Sequence, residues 1–326
     1  MTRTTQNRPE RELVPGQSEA LLRELHLVSR DGKLHADSLR KLKQVNHLAQ
    51  LLAPALDDVL ARHPSAQILD AGAGNAYLGF VLYELFLKAG EALLWNVEPR
   101  ADLIARGEER AKKLGYSRMR FVGATLEQAA QTRAAAPVAA LESAATSVPV
   151  AIVLPPGQVA PPPAPTPPAA QAPLLPERLH LVTALHACDT ATDDALLLAL
   201  RRKADHVALV PCCQAEVAAQ LKSLSAEANR SHQPLPAGPW SALWEHPLHR
   251  REFGAQLTNV LRSLVLEAHG YAVTVTELTG WEHSMKNELL LGRRVGGDTR
   301  VAKEKLKQLL AQTGVRPKIV RELGHG

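Results

Sequence analysis

The sequence predicts an α/β fold, a mostly parallel sheet wound with helices and preceded by a helical amino-terminal extension. Three observations carry that expectation. Residues 66–79, AQILDAGAGNAYLG, run from a short apolar strand through an acid and closely spaced glycines into a helix. Strand and helix patterns then alternate without hairpin signals, which implies parallel strands joined by right-handed crossovers. The last two strand-like runs, 271–278 and 288–293, have no crossover helix between them. They should close the sheet as an antiparallel pair.

Residues 1–16 are polar, contain two prolines and lack periodicity, so they read as a disordered tail. The extension occupies 17–63. SEALLRELHLV is amphipathic, and the longer run that follows places Leu39, Leu42, Val45, Leu48, Leu51 and Leu52 at helical spacing, with Asp37 or Ser38 as N-cap. Pro54 should kink or divide that helix. Arg40, Lys41 and Lys43 near its start form either a solvated face or an edge that touches phosphate.

The core should contain strand 66–70, helix 76–89 ending at Gly90, strand 93–97, helix 101–114, strand 118–122 and a short helix from Thr125. Residues 134–176 then hold 12 of the 23 prolines and a single charged residue, Glu142. Alanine and proline runs of this kind favour extended conformations without a core, so the stretch reads as a surface insertion. VAIVLPPG (150–157) within it resembles a strand, but the next sheet strand is expected at HLVTAL (180–185). A helix from about Thr190, a buried strand in HVALVPCCQ (206–214), a mixed segment 215–252 and a helix from about Glu252 to His269 complete the pattern. The core is thus expected over 64–133 and 177–295, with a basic amphipathic helix and tail over 296–326.

At the glycine loop the chemistry begins. Asp70 ends an apolar strand, Gly72 and Gly74 permit turns that a Cβ would obstruct, and a helix N-terminus follows. Glu98 closes the next strand 24 positions after Gly74, an offset suited to a ribose diol; it could equally be a solvated acid starting the next helix. Tyr77 stands where a dinucleotide fingerprint would carry its third glycine.

DAGAGNAYLG followed by Glu98 resembles the class I S-adenosylmethionine-dependent methyltransferases. The resemblance implies a Rossmann-like, seven-stranded sheet with an antiparallel last strand. It also implies a cofactor site: Asp70, Gly72, Ala73, Gly74, Asn75 and Gly79 toward the methionine part, Glu98 on the ribose, and Ala124 and Thr125 at the adenine. Three further stretches, LHACDTATDDAL (185–196), VPCCQ (210–214) and HSMKN (283–287), are similar to a methyltransferase-domain group that includes glutathione-transferase C-terminal-domain-containing methyltransferase-like proteins. More distantly they resemble a tRNA 2′-O-methyltransferase family. Asp189 stands where those relatives carry glycine, and Ser284 and Met285 depart from their Thr-Pro.

In such a sheet the tips of the fourth and fifth strands flank the reactive methyl, so His186, Cys188, Asp189, Cys212 and Cys213 are the expected catalytic set. Asp189 or His186 could take the acceptor's proton, or serve as a helix-capping acid and a hydrogen-bonded strand-end histidine. The cysteines could attack a pyrimidine ring, bind zinc with a histidine, or fill tight space beside the ligands. The third reading is adopted, and no metal is expected: adjacent Cys212 and Cys213 lack metal-ligand spacing, and no Pro-Cys ends the fourth strand.

Composition agrees with an enzyme. A net charge of +5 and a pI near 9.2 permit a polyanion partner, while 4% aromatic residues argue against a binder built on many stacking platforms. Three cysteines cannot form a disulfide framework, and no apolar run reaches membrane-spanning length, so a cytoplasmic protein is expected. The sequence-level expectation is a methyltransferase using S-adenosyl-L-methionine, with RNA, such as tRNA, as the favoured acceptor. The alternatives are a small-molecule or protein methyltransferase, and a non-catalytic adenosylmethionine-binding or RNA-binding protein. The oligomeric state is not legible.

Overall fold

The apolar runs form one sheet. The computed structural model describes residues 14–27, 36–131, 175–185, 187–211, 214–235, 237–278 and 288–324. Its strands are β1 (Gln67–Ala71), β2 (Leu93–Val97), β3 (Met119–Val122), β4 (Leu181–Ala184), β5 (His206–Leu209), β6 (Tyr271–Glu277) and β7 (Glu288–Arg294). They lie in the order β3-β2-β1-β4-β5-β7-β6. β1 to β5 pair in parallel, and β7 is antiparallel to both β5 and β6. This is the class I methyltransferase sheet. Because β1 leads to β2 on one side and has β4 on the other, the strand order reverses there, and a crevice opens at the carboxyl ends of β1 and β4.

Both faces of the sheet are covered. Neighbouring residues on a strand point to opposite sides, so Ile68 joins a core with Leu21 of α1 (Glu19–Glu24), Leu52 of α2 (Ala36–Arg62) and Phe80 of α3 (Tyr77–Leu82). Leu69 joins the other, with Leu196 of α6 (Thr190–Arg201), Leu261 of α8 (Pro247–Ala268), Leu306 of α9 (Arg300–Thr313) and Ile319 of α10 (Lys318–Glu322). The remaining α-helices are α4 (Ala101–Leu114), α5 (Leu126–Gln131) and α7 (Glu216–Ser231), and a 3-10 helix spans Gly238–Trp244. No helix among the described residues is long and apolar enough to cross a membrane.

Several boundaries differ from expectation for identifiable reasons. Pro54 does not divide α2, which is continuous. Proline removes the hydrogen bond to the carbonyl four residues back, and here Pro54 and Gln50 are both exposed, so water can satisfy that carbonyl. Asp37 and Ser38 lie inside the first turn of α2 and are not its N-cap. The helix expected over 76–89 widens into a π-turn at Tyr83–Leu87. Glu84 in that turn is buried and accepts from the Ser18 N–H (2.9 Å), the Ser18 hydroxyl (2.6 Å) and the Tyr116 hydroxyl (2.8 Å), which pins α1 to the domain. α8 starts at Pro247, not at Glu252, because proline suits the first helical position. The disordered-tail and insertion readings, VAIVLPPG among them, fall almost entirely outside the described residues.

Candidate active site

The loop after β1 takes its shape from three left-handed residues at alternate positions: Gly72 (φ +67°), Gly74 (+57°) and Ala76 (+56°). Only glycine reaches that region freely, which explains the first two. The Ala73 N–H donates to the Val97 carbonyl (2.9 Å) and the Gly74 N–H to Glu98 Oε2 (2.9 Å), so the turn is fastened to the tip of β2. Asn75, half-buried, completes it. Ala76 precedes α3 in a conformation that strains an L-residue by about 1–2 kcal/mol. Ala76→Gly is expected to stabilise the protein by about 1 kcal/mol, seen as a higher Tm; an unchanged or lower Tm contradicts this.

Asp70 turns inward. It is 2% exposed, accepts from the Gly79 N–H, and shares the Thr183 hydroxyl with the Leu69 carbonyl (3.4 and 3.1 Å). Burial, opposed by those hydrogen bonds, pushes its carboxyl up to about 7. Gly79 is buried too: a Cβ there would collide with Asn96 Oδ1 and press on Asp70 Oδ2. Asn96 donates to the Arg120 carbonyl (3.2 Å), while its buried Oδ1 has no partner among the described residues. Asp70 and Gly79 therefore lock α3 onto β1 and β2 from beneath the loop.

Glu98 is 4% exposed. Besides Gly74, it accepts from the backbone N–H and side-chain Nε of Arg100 (3.2 and 2.7 Å). Burial opposes its ionisation, but the Arg100 side chain together with the Arg100 and Gly74 N–H groups outweighs burial and holds the carboxyl below its usual range. A carboxylate offers about four acceptor positions; three are occupied, which leaves one on Oε2. Across β2, Ala124 is buried, and Thr125 exchanges hydrogen bonds with Gln128 (2.9 and 3.1 Å), a capping box at the start of α5.

On the other side of the crevice the chain after β4 meets the glycine turn. A Cβ on Gly72 would stand 3.5 Å from the Cα of Ala187. Cys188 is exposed. Asp189 precedes α6 at φ +50° and ψ −121°, a conformation suited to glycine. Its Oδ1 accepts from the N–H groups of Ala215 (3.0 Å) and Glu216 (3.4 Å), so it caps α7 and not its own helix. That cap joins the turns after β4 and β5. His186, Cys212 and Cys213 lie outside the described residues, as do the VPCCQ cysteine pair and HSMKN as motifs.

Sequence reasoning missed four side chains that shape this region: Thr183 and Asn96 beside Asp70, Arg100 on Glu98, and Arg262 under Asp189. Among the described residues, the one grouping with metal-ligand spacing is His63, His180 and Asp205. It lies at the amino ends of the strands, away from the crevice. His180 Nδ1 accepts from the Gln67 N–H (2.9 Å), so its other nitrogen carries the proton, and Asp205 already pairs with Arg178 (3.1 Å) and Arg62 (3.4 Å). His63 Nε2, 3.7 Å from Asp205 Oδ2, is buried without a hydrogen-bond partner among the described residues.

No curated protein matches the chain by sequence. Among solved structures it is similar to an SAH-bound methyltransferase from Podospora anserina (13% identity, 86% of this chain and 89% of that one, TM-score 0.41). It is similar also to a protein from Corynebacterium glutamicum (12%, 87% and 94%, TM-score 0.42) and to magnesium protoporphyrin IX methyltransferase from Synechocystis (12%, 85% and 93%, TM-score 0.38). Likenesses this distant bear on neither substrate nor residue roles. A family model described as a methyltransferase domain matches residues 40–220, more than half of the sequence, and the chain belongs to that family: it is an S-adenosylmethionine-dependent methyltransferase.

Proposed function

We propose that the crevice holds S-adenosylmethionine over the turn Gly72, Ala73, Gly74 and Asn75, with Glu98 on its ribose and Ala124 and Thr125 beside its adenine, and that the acceptor is RNA. One observation carries this reading. The same turn is tied to Glu98 through the Gly74 N–H and packed against Ala187, so the sugar anchor and the acceptor-side turn share one hollow.

The residues fit the cofactor. Side chains at Gly72 and Gly74 would strain the left-handed backbone that shapes the turn. Glu98 is ionised and keeps one open acceptor position, and movement of Arg100, which is exposed, frees a second for the other ribose hydroxyl. Asp70 and Gly79 act below the turn and hold its shape. The bound cofactor supplies an already activated methyl group. The chain's own task is then alignment of the acceptor and removal of its proton. We assign the proton to His186 or to Asp189 Oδ2, and to Cys188, Cys212 and Cys213 the lining of the acceptor side.

RNA is favoured by the net charge of +5 and by the resemblance of 185–196, 210–214 and 283–287 to the glutathione-transferase C-terminal-domain-containing group and a tRNA 2′-O-methyltransferase family. The test compares modified nucleosides of total RNA from cells with and without the gene. Loss of one methylated nucleoside is expected. An identical profile would move the acceptor to a protein or a small molecule.

A further inference from the structure

Arg262, on α8, is completely buried, and its guanidinium reaches in three directions. Nε donates to Asp193 Oδ1 of α6 (2.7 Å), one terminal nitrogen to Asn259 Oδ1 (3.3 Å), and the other to the backbone carbonyl of Asp189 (2.9 Å). Asn259, one turn earlier, accepts also from Gln214 Nε2 (3.1 Å) and donates to Glu288 Oε2 (2.7 Å). Gln214 follows the Cys212-Cys213 pair, Glu288 opens β7 directly after HSMKN, and Asp189 follows Cys188. The three stretches read as the acceptor side are far apart in sequence, yet each contains or directly precedes a residue bonded to this pair.

Energetics point the same way. Burial pushes Asp193 above the usual carboxylate range while Arg262 draws it back. A buried ion pair of this kind adds little net stability over apolar side chains of the same size, so stability is a weak reason for it. What arginine offers here is a rigid fork that fixes several partners at once, which lysine cannot copy. The strained φ of Asp189 needs such over-determination to persist.

We propose that Arg262 and Asn259 are positioning residues for methyl transfer, a buried hub that sets the turn after β4, the segment after β5 and the start of β7 relative to one another. The inference rests on the reading that these tips flank the acceptor. The hub touches neither Glu98 nor the glycine turn in any hydrogen bond above, so cofactor affinity and tip order should separate.

Hydrogen exchange on the full chain, read by mass spectrometry, tests this with two variants. Arg262→Lys keeps the charge near Asp193 but loses the fork; the double variant Asp193→Asn, Arg262→Met removes the buried pair without leaving a lone charge. In both, amides at 191–192, 215–216 and 288–289 should exchange at least about tenfold faster, together, while β1 to β3 keep their protection. Affinity for S-adenosylhomocysteine should stay within about twofold of the parent, since no cofactor contact changes. Wild-type protection at the three tips overturns the proposal. So does a uniform rise across the sheet, or recovery of tip protection in the double variant once its Tm matches the parent, since either marks a simple brace. If the parent itself fails to bind S-adenosylhomocysteine, the cofactor reading falls while the exchange pattern still decides the hub.

Discussion

Glu98→Gln is expected to weaken S-adenosylmethionine binding at least about a hundredfold with little change in fold. The reason is local charge. Two ribose hydroxyls donating to an ionised carboxylate contribute about 1.5–3 kcal/mol each, and a neutral amide forfeits most of that while still accepting from the Gly74 N–H. The pH dependence has a definite sign. The folded Glu98 carboxyl is held below its ordinary value, so its contribution is present above the unfolded carboxylate range and disappears only as pH falls through the lower folded value. Affinity should therefore be flat through neutral pH and decline only under acid conditions. Unchanged affinity in Glu98→Gln would remove the ribose from this residue.

Asp70→Asn is expected to have the largest effect on stability. An unfolded aspartate titrates near 3.8 and the folded one near 7, so between those values the folded state binds the extra proton. Stability should then fall as pH rises through that window, by on the order of 4 kcal/mol once the carboxyl is ionised in place. The amide avoids that loss. Its oxygen can accept from the Gly79 N–H as before, and its NH2 carries no charge for burial to penalise. Denaturant unfolding at pH 5 and pH 8 gives the comparison. The variant should exceed the parent most at pH 8, and a parallel pH dependence in both would show that Asp70 is ionised without penalty.

What the sequence made legible was whatever rests on periodicity or on glycine. Strands β1 to β5, the antiparallel close of the sheet and the left-handed Gly72 and Gly74 follow from patterns that one residue type or one spacing reports. The hidden features depend on residues whose type misleads. Ala76 and Asp189 occupy glycine-like backbone, which a side chain does not advertise; the resemblance did show glycine where Asp189 stands, and its φ explains why. Arg262 inside a helix reads as a solvated charge, because its partners Asp193 and Asp189 come some 70 residues earlier. The resemblance places Asp70 toward the methionine part of the cofactor, while its carboxylate is buried beneath the loop. Thr183 on a neighbouring strand, which no local pattern identifies, turns it inward. Proline misled twice, since an exposed Pro54 is tolerated within α2 and Pro247 begins α8 inside the stretch read as a mixed segment.

Calorimetric titration of the unmodified protein with S-adenosylmethionine bears most directly on the central claim, that the turn at Gly72 to Asn75 and the Glu98 carboxylate together form the cofactor's seat. One saturable site per chain, lost in Glu98→Gln, is the predicted result. Absence of binding at millimolar ligand, or a site indifferent to Glu98, would contradict it.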